Sequence, residues 1–257
     1  MRKRIAVTLA IILLPSIAFA KKKCPLSDAE LAAITARGSL LAQYDQAAWH
    51  STDAVLAMKP EKGSVTRYIA EKTDAGWVVA YGRLNDAQDS FLVAYTATQG
   101  VNPQQFTVKH YDPPKVDTGF YFWGAKATAT ALKDFQGEKR PYNTAVLPAQ
   151  SGQMYVYVLP AQTVNDVYPL GGDVRYLISA NGNTIVEKRQ LHKAIMDRDF
   201  RNVARPQAGY HTHVLSNVPE DTDVFFVLSQ KSPVPEYVGT KNQIYVVKID
   251  GSIACAK

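Results

Sequence analysis

The chain of 257 residues contains two cysteines, Cys24 and Cys255, which stand far apart in the sequence. In an oxidising compartment a disulfide between them obliges any fold to bring those two points together. Closing so long a loop would contribute roughly 5 kcal/mol on the chain-entropy model, an upper figure. Two free thiols are the alternative. Neither cysteine has another Cys or a His close by, so metal ligation by the pair is disfavoured and both readings leave it structural.

The first residues bear on the compartment. Arg2, Lys3 and Arg4 precede an almost unbroken apolar run from Ile5 to Leu14; Pro15 breaks it, and Ala18-Phe19-Ala20 offers small residues at −3 and −1. That is the layout of a secretory signal cut after residue 20. An uncleaved anchor is the alternative, but the run is shorter than the roughly 20 residues a spanning helix needs. A lipid-modified Cys24 is disfavoured because Lys21, Lys22 and Lys23 separate it from the cut. Removing the signal leaves 26 basic against 23 acidic residues, a net charge of +3. With no clustered basic face, nucleic acid is not expected as a partner. No second segment is long and apolar enough to span a membrane, so a soluble periplasmic or secreted product is expected. At 46% hydrophobic and 20% charged residues, the chain is globular rather than disordered or disulfide-dense.

The pattern along the chain predicts an α+β protein. Ser27-Asp28-Ala29-Glu30 is a capping box opening a helix in which Ile34, Leu41, Ala48 and Val55 recur every seven residues. Gly38 and Ser51-Thr52 weaken that helix and leave two shorter ones open; Pro60 and Gly63 end it. An antiparallel meander follows at 65–70, 77–81 and 91–95, with a fourth strand from Gln105 to Tyr111 that Asp112-Pro113-Pro114 breaks. A boundary near residue 115 then divides an N-terminal helix-plus-meander unit, 21–115, from a C-terminal unit, 116–257. The second unit reads as a helix at 125–135 and strands at 143–147, 153–159, 173–179 and 184–188. Asn181-Gly182-Asn183 turns the last two strands. A short helix at 190–200, a strand at 208–215, a helix opening at Pro219-Glu220-Asp221 and a closing hairpin complete it.

One segment carries chemistry. In Tyr210-His211-Thr212-His213-Val214 the period of a strand points both imidazoles to one face, about 7 Å apart along the backbone. After a short loop, Pro219-Glu220-Asp221-Thr222-Asp223 brings three carboxylates to a helix start. One of them could complete a His₂Asp metal site that keeps a fourth position for water, the layout of catalytic zinc. The same acids also fit an ordinary helix N-terminus. The remaining histidines, His50, His110 and His192, stand alone and read as surface or capping residues. Gly171-Gly172-Asp173 reads as a turn before a strand, since no helix follows it and no Lys-Ser/Thr pair is present.

His211-Thr212-His213 followed by an acidic helix start resembles the metal motif of the JAB/JAMM (MPN-like) metallopeptidase fold. The closing stretch from Pro235 through Tyr245 to Gly251 is similar to the terminal hairpin of bacterial JAB-like domains of unassigned function. The resemblance covers roughly residues 120–253. It implies an α/β/α unit with a mixed sheet and zinc held by His211, His213 and Asp223, with Asp221 as rival ligand. It further implies Glu138 as general base, with Glu187 a distant alternative, and hydrolysis of peptide or isopeptide bonds in an envelope protein or peptide. Val214 stands where the family has Pro, Glu220 where it has Ser, and Arg140-Pro141-Tyr142-Asn143 where its Glu is expected. The other function open to such a fold is non-catalytic: a binding or inhibitor protein of the immunity type, because function belongs to the site and not to the fold.

Overall fold

The computed structural model describes residues 24–201 and 206–256; the expected signal segment and Lys21–Lys23 lie outside them. The first helix, α1 (Asp28–Ala57), opens with the expected reciprocal cap: Glu30 N donates to Ser27 Oγ at 3.3 Å and Ser27 N donates to Glu30 Oε2 at 2.8 Å. It is one continuous helix. Gly38 does not interrupt it, because its missing side chain serves packing: a Cβ there would lie 2.4 Å from the backbone oxygen of Asp221.

Strands β1 (Arg67–Thr73), β2 (Gly76–Leu84), β3 (Phe91–Gln99) and β4 (Phe106–Asp117) form an antiparallel meander in sequence order. Contrary to expectation, Pro113 and Pro114 do not break β4. The strand lies at the sheet edge, and the register steps from Val93↔Lys115 to Tyr95↔His110, so the prolines ride in an irregular stretch where a missing N–H costs little.

Helix α2 (Phe120–Asp134) begins five residues before the expected start. It leads to β5 (Tyr142–Pro148), β6 (Met154–Pro160), β7 (Val167–Gly171), β8 (Val174–Ile178), β9 (Ile185–Gln190) and β10 (Ile195–Asp199). Strands 5, 6, 8 and 9 form a second antiparallel sheet, while β7 and β10 pair as a separate ribbon. The expected helix at 190–200 is therefore a turn and a strand. Last come β11 (Gly209–Thr212), α3 (Asp221–Ser229), β12 (Glu236–Gly239), β13 (Ile244–Val247) and β14 (Ile253–Cys255). The final sheet is mixed: β11 runs parallel to β12, and the other pairs are antiparallel.

Period-two alternation sorts side chains into two apolar clusters on opposite faces of the sheets. Tyr157 and Leu159 of β6 join Leu41, Tyr44 and Val55 of α1, whereas Val156 and Val158 face Phe122, Ala125 and Ala131 of α2. Both clusters draw residues from either side of position 115, and Tyr68 of β1 hydrogen-bonds the Thr144 carbonyl of β5 at 3.2 Å. A third cluster seats Val224 and Val227 of α3 against Leu31 and Ile34 of α1, Leu170 of β7, and Val238 and Tyr245 of the last sheet. Cys24 and Cys255 are disulfide-bonded, with Cα atoms 5.8 Å apart, which fastens the start of α1 to β14. Among the described residues no helix is long and apolar enough to cross a membrane.

Candidate metal centre

His211 on β11 and His213, the residue just past its end, bring their imidazoles together, and both are buried. Their Nε2 atoms lie 3.1 Å apart, and each approaches Oδ1 of Asp223, at 3.1 Å and 3.3 Å. Asp223 occupies the third position of α3. There its Oδ2 accepts a 2.7 Å bond from the Glu220 backbone N–H, while Oδ1 is turned to the imidazoles. The acidic helix start is thus both a cap and a ligand set. The two roles use different oxygens of one carboxylate.

A third imidazole completes the group. His192 Nε2 lies 2.9 Å from His213 Nε2 and 3.1 Å from Asp223 Oδ1. Read alone in the sequence it suggests a surface or capping residue; in the fold it is 7% exposed. The hairpin at Asn181-Gly182-Asn183 pairs Val174 with Gln190, which sets residue 173 across from residue 191. Leu191 then donates to the Asp173 carbonyl at 3.0 Å, and His192 Nδ1 meets Asp173 Oδ1 at 2.7 Å. Gly171, at φ 90°, makes this possible: a Cβ there would lie 2.2 Å from the Ala194 carbonyl oxygen. The only sequence signal for His192 was the Gly171-Gly172-Asp173 turn combined with that hairpin register.

The other ring nitrogens orient the imidazoles. His211 Nδ1 meets Glu236 Oε1 at 2.8 Å, and His213 Nδ1 meets the Val218 carbonyl at 2.9 Å. A carbonyl oxygen can only accept, and a carboxylate oxygen facing a ring N–H accepts, so the outer Nδ1 atoms are placed to donate and the Nε2 atoms are the nitrogens left to face a metal. Glu236 reaches His211 because Gly209 neighbours it across the parallel pair: a Cβ on Gly209 would fall 1.6 Å from Glu236 Oε2.

Once the inward nitrogens give up their protons, as metal ligation requires, four acceptor atoms converge on one point. Burial alone would push the His192 imidazole down, but the Asp173 and Asp223 carboxylates hold it well above the ordinary histidine range. The His211 imidazole is raised in the same way, against burial, by Asp223 and Glu236. Asp223, despite complete burial, is held well below the usual carboxylate range by the surrounding imidazoles. The cluster calls for positive charge at its centre. A tetrahedral ion with ligands at about 2.0–2.1 Å sets its donors roughly 3.3 Å apart. Five of the six donor pairs here are separated by 2.9–3.3 Å, and all four donors lie within 4.8 Å of one another. Three imidazoles and one carboxylate, each oriented by an outer hydrogen bond, are a donor set that suits a divalent transition metal.

Asp221, the rival ligand, is turned elsewhere. Its carboxylate takes Arg175 Nη1 at 2.5 Å, Tyr157 Oη at 2.7 Å and Arg37 Nη2 at 2.9 Å, tying α3 to β8, β6 and α1. Glu220 pairs with Arg189 of β9 at 2.5 Å. Glu138 lies exposed in the loop after α2, Glu187 lies exposed on β9, and neither belongs to the cluster. His50 stacks on Trp49 and His110 on Tyr95, outside the group. No family model, curated protein or solved structure matches the chain.

Proposed function

We propose that this chain is an exported, non-catalytic binding protein built around a structural zinc ion held by His192, His211, His213 and Asp223. The observation that carries the reading is His192. Catalytic zinc keeps a position for water beside three protein ligands, whereas structural zinc is closed by four. His192 supplies the fourth donor from its own oriented imidazole. The two carboxylates nearest the cluster beyond Asp223, Asp173 and Glu236, are engaged on imidazole Nδ1 atoms, so neither faces a position where water could be activated. Tetrahedral spacing with nitrogen and oxygen donors and no thiolate favours zinc over softer or octahedral ions. When bound, zinc supplies coordination energy without redox chemistry. The chain's own residues bring that energy to the point where β8, β9, β11 and α3 meet. The disulfide fits a chain that folds in an oxidising compartment outside the cytoplasm.

The test is thermal unfolding of the mature protein stripped with a chelator and then reloaded. Zinc should raise the midpoint sharply at one equivalent, and the loaded protein should cleave neither a peptide nor an isopeptide-linked ubiquitin-type substrate. Zinc-dependent cleavage abolished by Asp223→Ala would replace this reading with the hydrolase that the JAB/JAMM resemblance implies. Equal midpoints with and without zinc would remove the metal altogether.

A further inference from the structure

A long cleft runs beside α1, and none of the metal-cluster residues lines it. Its two adjoining lobes, about 570 Å³ and 710 Å³, share His50 and Gln104 and fall in the size range of ligand sites. One wall is a polar stripe on the helix: Ser39, Gln43, Gln46, His50 and Asp53 follow at intervals of four, three, four and three residues. That spacing keeps them on one face, and at 1.5 Å per residue they extend over about 21 Å. The opposite wall comes from the β1–β2 and β3–β4 turns, with Lys72, Gln99 and Gln104, and Trp77 at its base.

We propose that this cleft binds a neutral oligosaccharide strand. Five glutamines, Gln43, Gln46, Gln99, Gln104 and Gln105, stand on its two walls, and each side-chain amide offers two donors and an acceptor, the complement of a hydroxyl that both donates and accepts. Gln46 and Gln104 make no side-chain hydrogen bond among the described residues, so their amides remain for a ligand. The few charges have mixed sign, Lys72 against Asp53 and Asp250, and Lys72 is already turned to Gln43 Oε1 at 2.7 Å. No cationic cluster stands ready for phosphate; the ends of the edge strands β1 and β4 reach the cleft at Lys72 and at Phe106-Thr107, so a peptide is the control ligand. Beside it, Trp49 is 57% exposed and lies flat against His50, with 4.9 Å between ring centroids, leaving a planar apolar face for the C–H surface of a sugar ring.

Isothermal titration of the full mature chain with a β-1,4-linked N-acetylglucosamine hexamer and with cellohexaose tests this. A neutral Gly-Ser-Asn peptide of the same length is the control. At least one saccharide should bind saturably with a Kd of about 1 mM or tighter. The double variant Gln46→Ala/Gln104→Ala should weaken it about tenfold while leaving the thermal midpoint unchanged. Absence of saturable binding by both saccharides, binding indifferent to the double variant, or tighter binding of the peptide would each overturn the proposal.

Discussion

Around Leu41, Tyr44 and Val79 the interior is apolar, and the strands that enclose it alternate one side chain to each cluster. Around Asp223 the interior is equally closed to solvent, yet its centre is three imidazoles and five carboxylates, each with a specific partner. The first kind of interior is held by area removed from water, and it loses stability by degrees when a side chain is shortened. The second is held by pairing. Removing one member leaves the others buried and charged, so its losses come all at once.

The sharpest way to separate the two regions is His192→Ala. Ligation by four side chains is folding free energy, so this variant should lose the metal and on the order of 5 kcal/mol or more of stability. Denaturant titration alongside elemental analysis reads both effects. Next in size is Asp221→Ala, which strands Arg175 and should cost about 3–5 kcal/mol while the metal stays bound. If the metal also leaves, the arginine network and the metal centre are one unit. Leu41→Ala, in the apolar region, should cost about 3 kcal/mol with full metal occupancy in the folded fraction, read by the same titration.

The smallest effect concerns Asp45 on α1, which has no hydrogen-bond partner among the described residues and whose carboxyl burial pushes up to about 6. A raised carboxyl favours the folded state only while it is protonated. The unfolded chain ionises first, near pH 4, so stability falls as pH rises from about 4 to 6 and stays lower above. Asp45→Asn should therefore gain stability at neutral pH, by at most the roughly 3 kcal/mol that a rise of about two pH units is worth, and nothing below pH 4, measured as a difference of unfolding curves.

The same contrast explains what could be read from the residues alone. Signals carried by neighbours in sequence were readable: the Ser27–Glu30 cap, the Asn181-Gly182-Asn183 turn, the His-x-His run and the closing hairpin. Features that depend on distant partners were not. Gly38 looks like a helix weakener until α3 crosses it. The strand at Ile195–Asp199 looks helical until it meets Val167–Gly171, itself obscured by Pro169. His192 looks solitary because its neighbours in space, Asp173, His213 and Asp223, come from three other segments. Convergence of polar groups has no periodicity, whereas apolar faces do.

Whether His192 closes a four-ligand zinc site is read by elemental analysis of the mature protein, refolded with zinc present and dialysed free of excess. One tightly held zinc per chain is expected, with X-ray absorption showing four nitrogen or oxygen neighbours and no open water position. A folded, metal-free chain, or a zinc with three protein ligands and His192 unbound, would contradict it.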